Sequence, residues 1–320
     1  MWDVFNTPFK GFDPADFEAY TEEKWSSHLH TRARMGVRDK LTAIGRLVAD
    51  QLKAGGANLS HEANDPRPSV FNNNSVDAQW IFFTRTDEDK KKLAAIIDRG
   101  HSVADNIHNA AHHKRGLMLG VKVHAGGVDV MLGLHAHAWV DVRNGLQKLD
   151  DPWERERLSA LLKALVDTPA GQLHLVGPSA VVPAPEVDAA ALRGQLGALS
   201  SGQGEWLIWG RNFPADDPEV QQERFGQVIA ETFVALLPLY RFLLWTSDND
   251  HLALKAEIAE NKALSKRDGV TLEPGDQVFI NAGLFNGQTG VVEDVDKKGM
   301  VKVSVGKLVI QVKGTTLRRL

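Results

Sequence analysis

Seven of the chain's twelve histidines, His101, His108, His112, His113, His124, His135 and His137, fall in one short stretch. Neutral imidazole is the commonest metal ligand and the side chain best suited to moving a proton near neutral pH. His108 and His112 stand four apart, which puts them on one face of a helix, and His135 and His137 stand two apart, which puts them on one face of a strand. Brought together, the two pairs would form a histidine-rich metal site with Asp105 or Asp129 as oxygen ligands. The chemistry would then be metal-dependent hydrolysis or nucleic-acid processing. No H-E-x-x-H or facial-triad spacing accompanies the pairs, and half-buried hairpins often carry histidine on the wet face. The reading is therefore that no catalytic residue and no cofactor is called for, with a metal at His108, His112, His135 and His137 as the alternative.

Other chemistries find less support. With no cysteine, disulfides, thiolate zinc sites and a cysteine nucleophile are all excluded. No G-x-S-x-G marks a serine nucleophile, and "AGGVDV" lacks the helix and spacing of a phosphate loop. The lysines of "DKKKL" and the basic "HHKRG" read as solvated surface.

The elements that must position these residues follow from periodicity. Val37, Leu41, Ile44, Val48 and Leu52 recur at spacings of three and four, predicting an amphipathic helix over Arg32 to Leu52 that stops at Gly55-Gly56. "AQWIFFTR" reads as a buried strand, followed by a helix through "DEDKKKLAAIIDRG". Leu117 to Val142 reads as two strands turning at Ala125-Gly126-Gly127, because a tight hairpin needs the positive φ that glycine supplies. A helix from Pro152 to about Asp167, a strand "QLHLVG", a Pro-rich crossing, a helix near Asp188 to Leu199, a strand "EWLIWGRNF" and a helix opened by "DDPE" complete the body. Without a strict βαβ alternation, this mixture predicts an α+β domain over residues 1 to 246. The polar residues 247 to 270 read as a helical linker.

At 320 residues with 43% hydrophobic and 24% charged side chains, the composition is that of a globular protein. The most apolar window, "FVALLPLYRFLLW", is broken by Pro238 and Arg241, which argues against a membrane span. "MWDVFNTPFKGFDPADF" has no basic region ahead of an apolar run, so the expectation is a cytoplasmic protein. The net charge of −4 divides unevenly: residues 271 to 320 hold seven Lys and Arg against five acids, a mildly basic tail on an acidic body. Such a tail suits a polyanion or an acidic protein surface.

That tail has its own grammar. "DQVFINAG", "TGVVEDVD", "MVKVSV" and "KLVIQV" alternate as four short strands, joined by "GLFNGQ", "DKKG" and "GK". Strands this short bury little as an open sheet, so a small closed barrel over residues 271 to 320 is expected. Gly290 falls where a backbone must bend or approach a neighbour closely.

"LEPGDQVFINAGLFNGQTGVVEDVD", followed by "VKVSV", resembles a KOW module, as found in NusG-type transcription factors and in a ribosomal large-subunit protein. Gly275, Asp276, Val278, Ile280, Gly283, Phe285, Gly287, Gly290 and Val292 carry the resemblance. The ending "VGKLVIQVKGTTLRRL" departs from NusG and is similar to the KOW-like piece of MutS-related Smr proteins, so NusG's particular partners are not implied. The resemblance implies an SH3-like barrel that binds RNA, ribosomal protein or a transcription-complex protein. Contacts would come from Asn281, Leu284, Phe285, Asn286 and Gln288 in the loop after the first strand, and from Lys302, Lys307, Lys313, Arg318 and Arg319. Phe285 could equally plug one end of such a barrel.

The body is similar to the YktB family of bacterial proteins in "FDPADFEAY", in an Asn-rich turn leading through Asp77 and Trp80 into a strand (Asn72, Asn73, Asn74), and in the run Leu236 to Tyr240. That resemblance implies an α+β fold and no activity. The combined expectation is a non-enzymatic adaptor or regulator that docks on RNA, the ribosome or the transcription machinery. The rival is a metal-dependent enzyme centred on the histidines, recruited by the tail.

Overall fold

The computed structural model describes residues 8–97, 112–253, 272–280, 285, 288–296, 300–306 and 308–319. Two compact units emerge, Met1–Asp89 with Ala110–Leu252, and Lys90–Asn109 with Ala253–Leu320.

The first unit begins with a short helix, α1 (Pro14–Glu18), started by Asp13 and Pro14, and continues into α2 (Thr31–Ala54). The five apolar residues spaced by three and four along α2 are all buried, as the periodicity requires. Strands β1 (Ser60–Ala63) and β2 (Ala78–Thr84) follow, and α3 (Asp87–Ile97), whose first turn is capped by Thr86, begins in this unit and continues from Lys90 in the second. Strands β3 (Met118–His124) and β4 (Gly127–His135) form the expected hairpin, with Gly127 at φ +136°. Then come α4 (Trp139–Lys148), α5 (Pro152–Val166), β5 (His174–Val176), β6 (Val181–Pro183), α6 (Ala189–Ser200), β7 (Trp206–Pro214) and α7 (Phe225–Leu243).

The strands pair antiparallel throughout in the order β1-β2-β3-β4-β7-β5-β6. Alternation puts Ile81, Phe83, Leu119, Val121, Val123, Val128, Val130, Leu132 and Leu134 on one face, where they join the helices in a single core. The architecture is α+β. Among the described residues α7 is the one helix long and apolar enough to cross a membrane, and twelve of its residues are buried, Phe233, Leu236 and Tyr240 with the sheet and α2.

Four elements differ from the sequence expectation. The segment after His135 leaves the sheet, and Trp139 to Val142 are helical, because Val140 and Val142 are buried within a helix that continues to Lys148. The Pro-rich crossing contains β6, an edge strand, where Pro183 costs no ladder bond that a central strand would need. The helix read from "DDPE" starts only at Phe225, since Asp217 and neighbouring residues spend their hydrogen bonds on tight turns. Residues 247 to 252 are turn instead of helix. Asn249 explains this: its amide donates to the carbonyls of Leu244 at 2.6 Å and Phe242 at 3.2 Å, capping α7, while its Oδ1 accepts from the buried Lys148 ammonium at 2.6 Å. Residues 254 to 270 of the expected linker lie outside the described residues.

Besides the α3 residues from Lys90, the second unit holds a five-stranded antiparallel sheet, β11-β10-β9-β8-β12, formed by β8 (Gln277–Ile280), β9 (Thr289–Val295), β10 (Met300–Val305), β11 (Leu308–Lys313) and β12 (Leu317–Arg319). Four strands match the reading, and the fifth, from "LRR", is additional: it pairs Leu317 with Ile280 and Arg318 with Phe279. Val278, Ile280, Val292, Val301 and Val303 make its core. A Cβ on Gly290 would lie 2.4 Å from Val303 Cγ1, which is the close approach that position was expected to serve.

Candidate functional site

The same alternation that builds the body's core sends a second set of side chains to the opposite sheet face. On β2 these are Trp80 and Phe82; on β3, Met118, Gly120, Lys122 and His124; on β4, Asp129, Met131, Gly133 and His135; on β7, Trp206, Ile208, Gly210 and Asn212. Phe82, Met118 and Met131 are buried there in a small cluster of their own, with Trp80, Trp206 and Ile208 packed half-buried against them.

Glycines shape this surface. A Cβ on Gly133 would lie 3.0 Å from Met118 Cε and 3.3 Å from the Trp206 ring, and one on Gly210 would lie 2.8 Å from Met131 Cβ. Bare backbone at these places lets the methionines lie across the sheet and lets Trp206 lie down on it. Trp80 and Trp206 consequently align their rings 17° from parallel with centroids 6.2 Å apart, although two strands separate them. His113, from the single 3-10 turn His112–Lys114, lies parallel to both, 4.9 Å from Trp80 and 6.2 Å from Trp206. Lys122 places its ammonium 5.4 Å from the Trp80 centroid.

A polar row borders these rings. Asp129 accepts from Asn212 at 2.8 Å and meets His124 Nε2 at 3.3 Å, with Lys122 at 4.0 Å. Burial pushes the Asp129 carboxyl up, but the hydrogen bonds from His124 and Asn212 and the charges of His124 and Lys122 outweigh it and hold the group below the ordinary carboxylate value.

Only part of the alternative histidine arrangement falls within the described residues. His108 and Asp105 lie outside the described residues, and His112 belongs to the 3-10 turn and not to an α-helix shared with His108. His135 closes β4, but His137 sits in the turn beyond it and does not share a strand face. The two rings still approach to 4.6 Å because the chain folds back there. Among the described residues no group of three or more metal-ligating side chains gathers. Burial pushes the His135 imidazole down to about 4, with the charges of Lys114, His137 and His113 adding to the effect.

In the second unit, Asn281, Leu284, Asn286 and Lys307 lie outside the described residues. Phe285 is half-buried against the small core, and Gln288 is exposed. Lys302 is exposed and lies 3.7 Å from Asp294, while Arg319 lies 2.7 Å from Asp276. Lys313 ends β11, and Arg318 lies on β12.

Trp206, Lys122 and Asn212 are not singled out by the sequence, and Trp80 enters there only as a carrier of the family resemblance, not as a site residue. The available signal was the second half of each alternation, in which tryptophan, glycine and methionine occupy positions that a merely solvated sheet face would give to polar residues. No family model matches the chain, and no curated protein matches it.

Proposed function

We propose that the protein is a cytoplasmic, non-enzymatic adaptor that docks on RNA, free or within the ribosome or transcription apparatus, through a C-terminal KOW module folded as an SH3-like barrel on a YktB-like body. Five short antiparallel strands around a valine and isoleucine core support the module. The observation that carries the docking role is the pairing of β12 with β8. It aligns Arg318 with Phe279 and Arg319 with Val278, so that two basic residues lie on the neighbour of the strand that precedes the contact segment implied by the resemblance. The Lys302–Asp294 pair is more than half exposed on both sides, so it is weak and can trade its carboxylate for a phosphate.

Binding of single-stranded RNA at varied salt tests this. Each phosphate contact contributes a slope of about −0.7 in log affinity against log salt. Lys302→Ala combined with Arg318→Ala lowers the affinity and flattens that slope. Binding that ignores salt and these two changes, yet collapses with Phe285→Ala in a protein that still melts cooperatively, would identify a protein surface as the target instead.

A further inference from the structure

The body carries a second surface that nothing in the docking role of the C-terminal module uses. The geometry points to the Trp80–Trp206–His113 face as a binding site for single-stranded RNA, with bases stacked on the rings and their edges turned toward the polar row of Lys122, Asp129 and Asn212. The inference stands on the first unit alone and does not depend on the C-terminal module.

Three features together select this occupant. The first is ring alignment: the three rings lie between 7° and 18° of one another, with His113 seated on a Trp80 face, so a base that displaces His113 or extends the stack meets rings in nearly one orientation. Parallel rings let successive bases of one strand stack in a common orientation. His113 already lays a flat heteroaromatic ring on Trp80 at 4.9 Å, which is the contact that a base would make.

The second is charge. Lys122 stands 5.4 Å from the Trp80 centroid, and Lys114 lies close enough to His135 to depress its protonation. Cations beside aromatic faces are the arrangement that holds a phosphate backbone while its bases stack. The third is the polar row. The Asp129 carboxylate accepts hydrogen bonds and the Asn212 amide both donates and accepts, so the row can meet the mixed donors and acceptors of a base edge. A duplex would present neither free base faces nor unpaired edges, so a sheet face of this kind suits single strands.

The floor is built to hold the platform still. Phe82, Met118 and Met131 are buried beneath the rings, Gly133 leaves room for the Trp206 ring, and Gly120 and Gly210 leave room for the methionines. Preorganised rings lose little freedom when a base arrives.

The test uses the full chain carrying Lys302→Ala and Arg318→Ala, so that any contribution of the C-terminal module is weakened in every arm. Fluorescence anisotropy with a labelled single-stranded RNA of roughly twelve nucleotides reads the affinity. Trp80→Ala and Trp206→Ala are each expected to lower it about tenfold or more with the salt slope unchanged. Lys122→Gln is expected to reduce the slope by about 0.7. Trp80→Phe, which keeps a ring and the packing beneath it, retains most of the affinity. Because a tryptophan deletion can itself unfold the sheet, the unsubstituted chain is also photocrosslinked to 5-bromouridine RNA, with crosslinks expected on peptides containing Trp80, Trp206 or His113. Crosslinks confined to other peptides, or equal affinity in folded Trp80→Ala and Trp206→Ala chains, would overturn the proposal. Competition by free AMP or UMP at the same concentration as the oligonucleotide would also overturn it, since that marks a small-molecule site. So would equally tight binding of duplex RNA.

Discussion

The backbone amide of His137 donates to Nδ1 of His135 at 3.0 Å, so the ring proton of His135 sits on Nε2, which is buried without a hydrogen-bond partner. The arrangement keeps the imidazole neutral: a second proton on Nδ1 would expel the amide, and a charge would be buried beside Trp206 at 4.7 Å.

A pH dependence of stability follows. The folded-state value is about 4, below the ordinary 6.5, so the unfolded chain takes up a proton before the folded one does. The associated stability is complete above pH ~6.5 and is lost progressively as pH falls toward ~4, by about 3 kcal/mol at most. Urea melts between pH 7 and 5 should show this decline, and His135→Gln should flatten it. An unchanged slope in the variant would assign the decline to other groups, with His61, whose imidazole is also pushed down by burial, the next to change.

Asp141, by contrast, is a buried charge held by several partners at once. It receives the Arg85 guanidinium at 2.5 Å, the Leu117 amide at 2.9 Å and the Trp245 amide at 2.8 Å, tying the end of β2, the start of β3 and the end of α7 to α4. Arg85 and Asp141 are both almost fully buried, so Asp141→Ala strands a guanidinium and an amide pair and should cost about 3–5 kcal/mol. Replacing Arg85 by Met in the same chain should recover part of that loss, because the stranded charge is then gone. Equal stability of the single and double variants in urea would show that the guanidinium finds solvent.

The fold was legible where period and side-chain size agreed. The spacing of Val37, Leu41, Ile44, Val48 and Leu52 admits one helix, and the alternation around Gly127 admits one hairpin. Legibility failed where a single polar side chain decided the backbone. Asn249 ends α7 and holds the next turn to Lys148 across about a hundred residues of sequence, a contact that no local pattern announces. The fifth strand of the second unit was missed for a related reason: "LRR" has no alternation to detect, and its place is set by the register with β8. The candidate site was the least legible, since Trp80 and Trp206 are far apart in sequence and meet across two intervening strands, with Gly133 leaving room beside the Trp206 ring.

Gly127 offers a direct check on the hairpin. At φ +136° it occupies backbone space that other residues rarely adopt, and a Cβ there would lie 2.1 Å from the Phe213 carbonyl oxygen on β7. Gly127→Ala should therefore cost about 2 kcal/mol or more by combined strain and clash. Gly306, at φ +63° with open space around it, suffers only the first effect, and Gly306→Ala should cost about 1 kcal/mol. Thermal melts that rank the two in the opposite order would contradict the register of β4 against β7.

The five-stranded sheet should fold without the rest of the chain. Its buried residues, Val278, Ile280, Val292, Val301 and Val303, all come from its own strands, and Leu272, Phe285, Ile310, Val312 and Leu317 pack around them. A core of this size supplies little surplus, roughly 3–5 kcal/mol in domains below 70–80 residues, so each close contact weighs heavily. Residues 271–320 expressed alone should give a β-sheet circular dichroism signal and a cooperative melt. In that fragment Gly290→Ala should abolish the melt, because its Cβ would come within 2.4 Å of Val303 Cγ1 and 2.8 Å of the Ser304 carbonyl oxygen, on the strand that β9 must pair with. A side chain can swing away, but the carbonyl cannot move without breaking the β9–β10 ladder. A fragment without cooperative melting would mean that these strands depend on other parts of the chain, and a Gly290→Ala fragment as stable as the parent would show that the ladder yields more easily than its geometry implies.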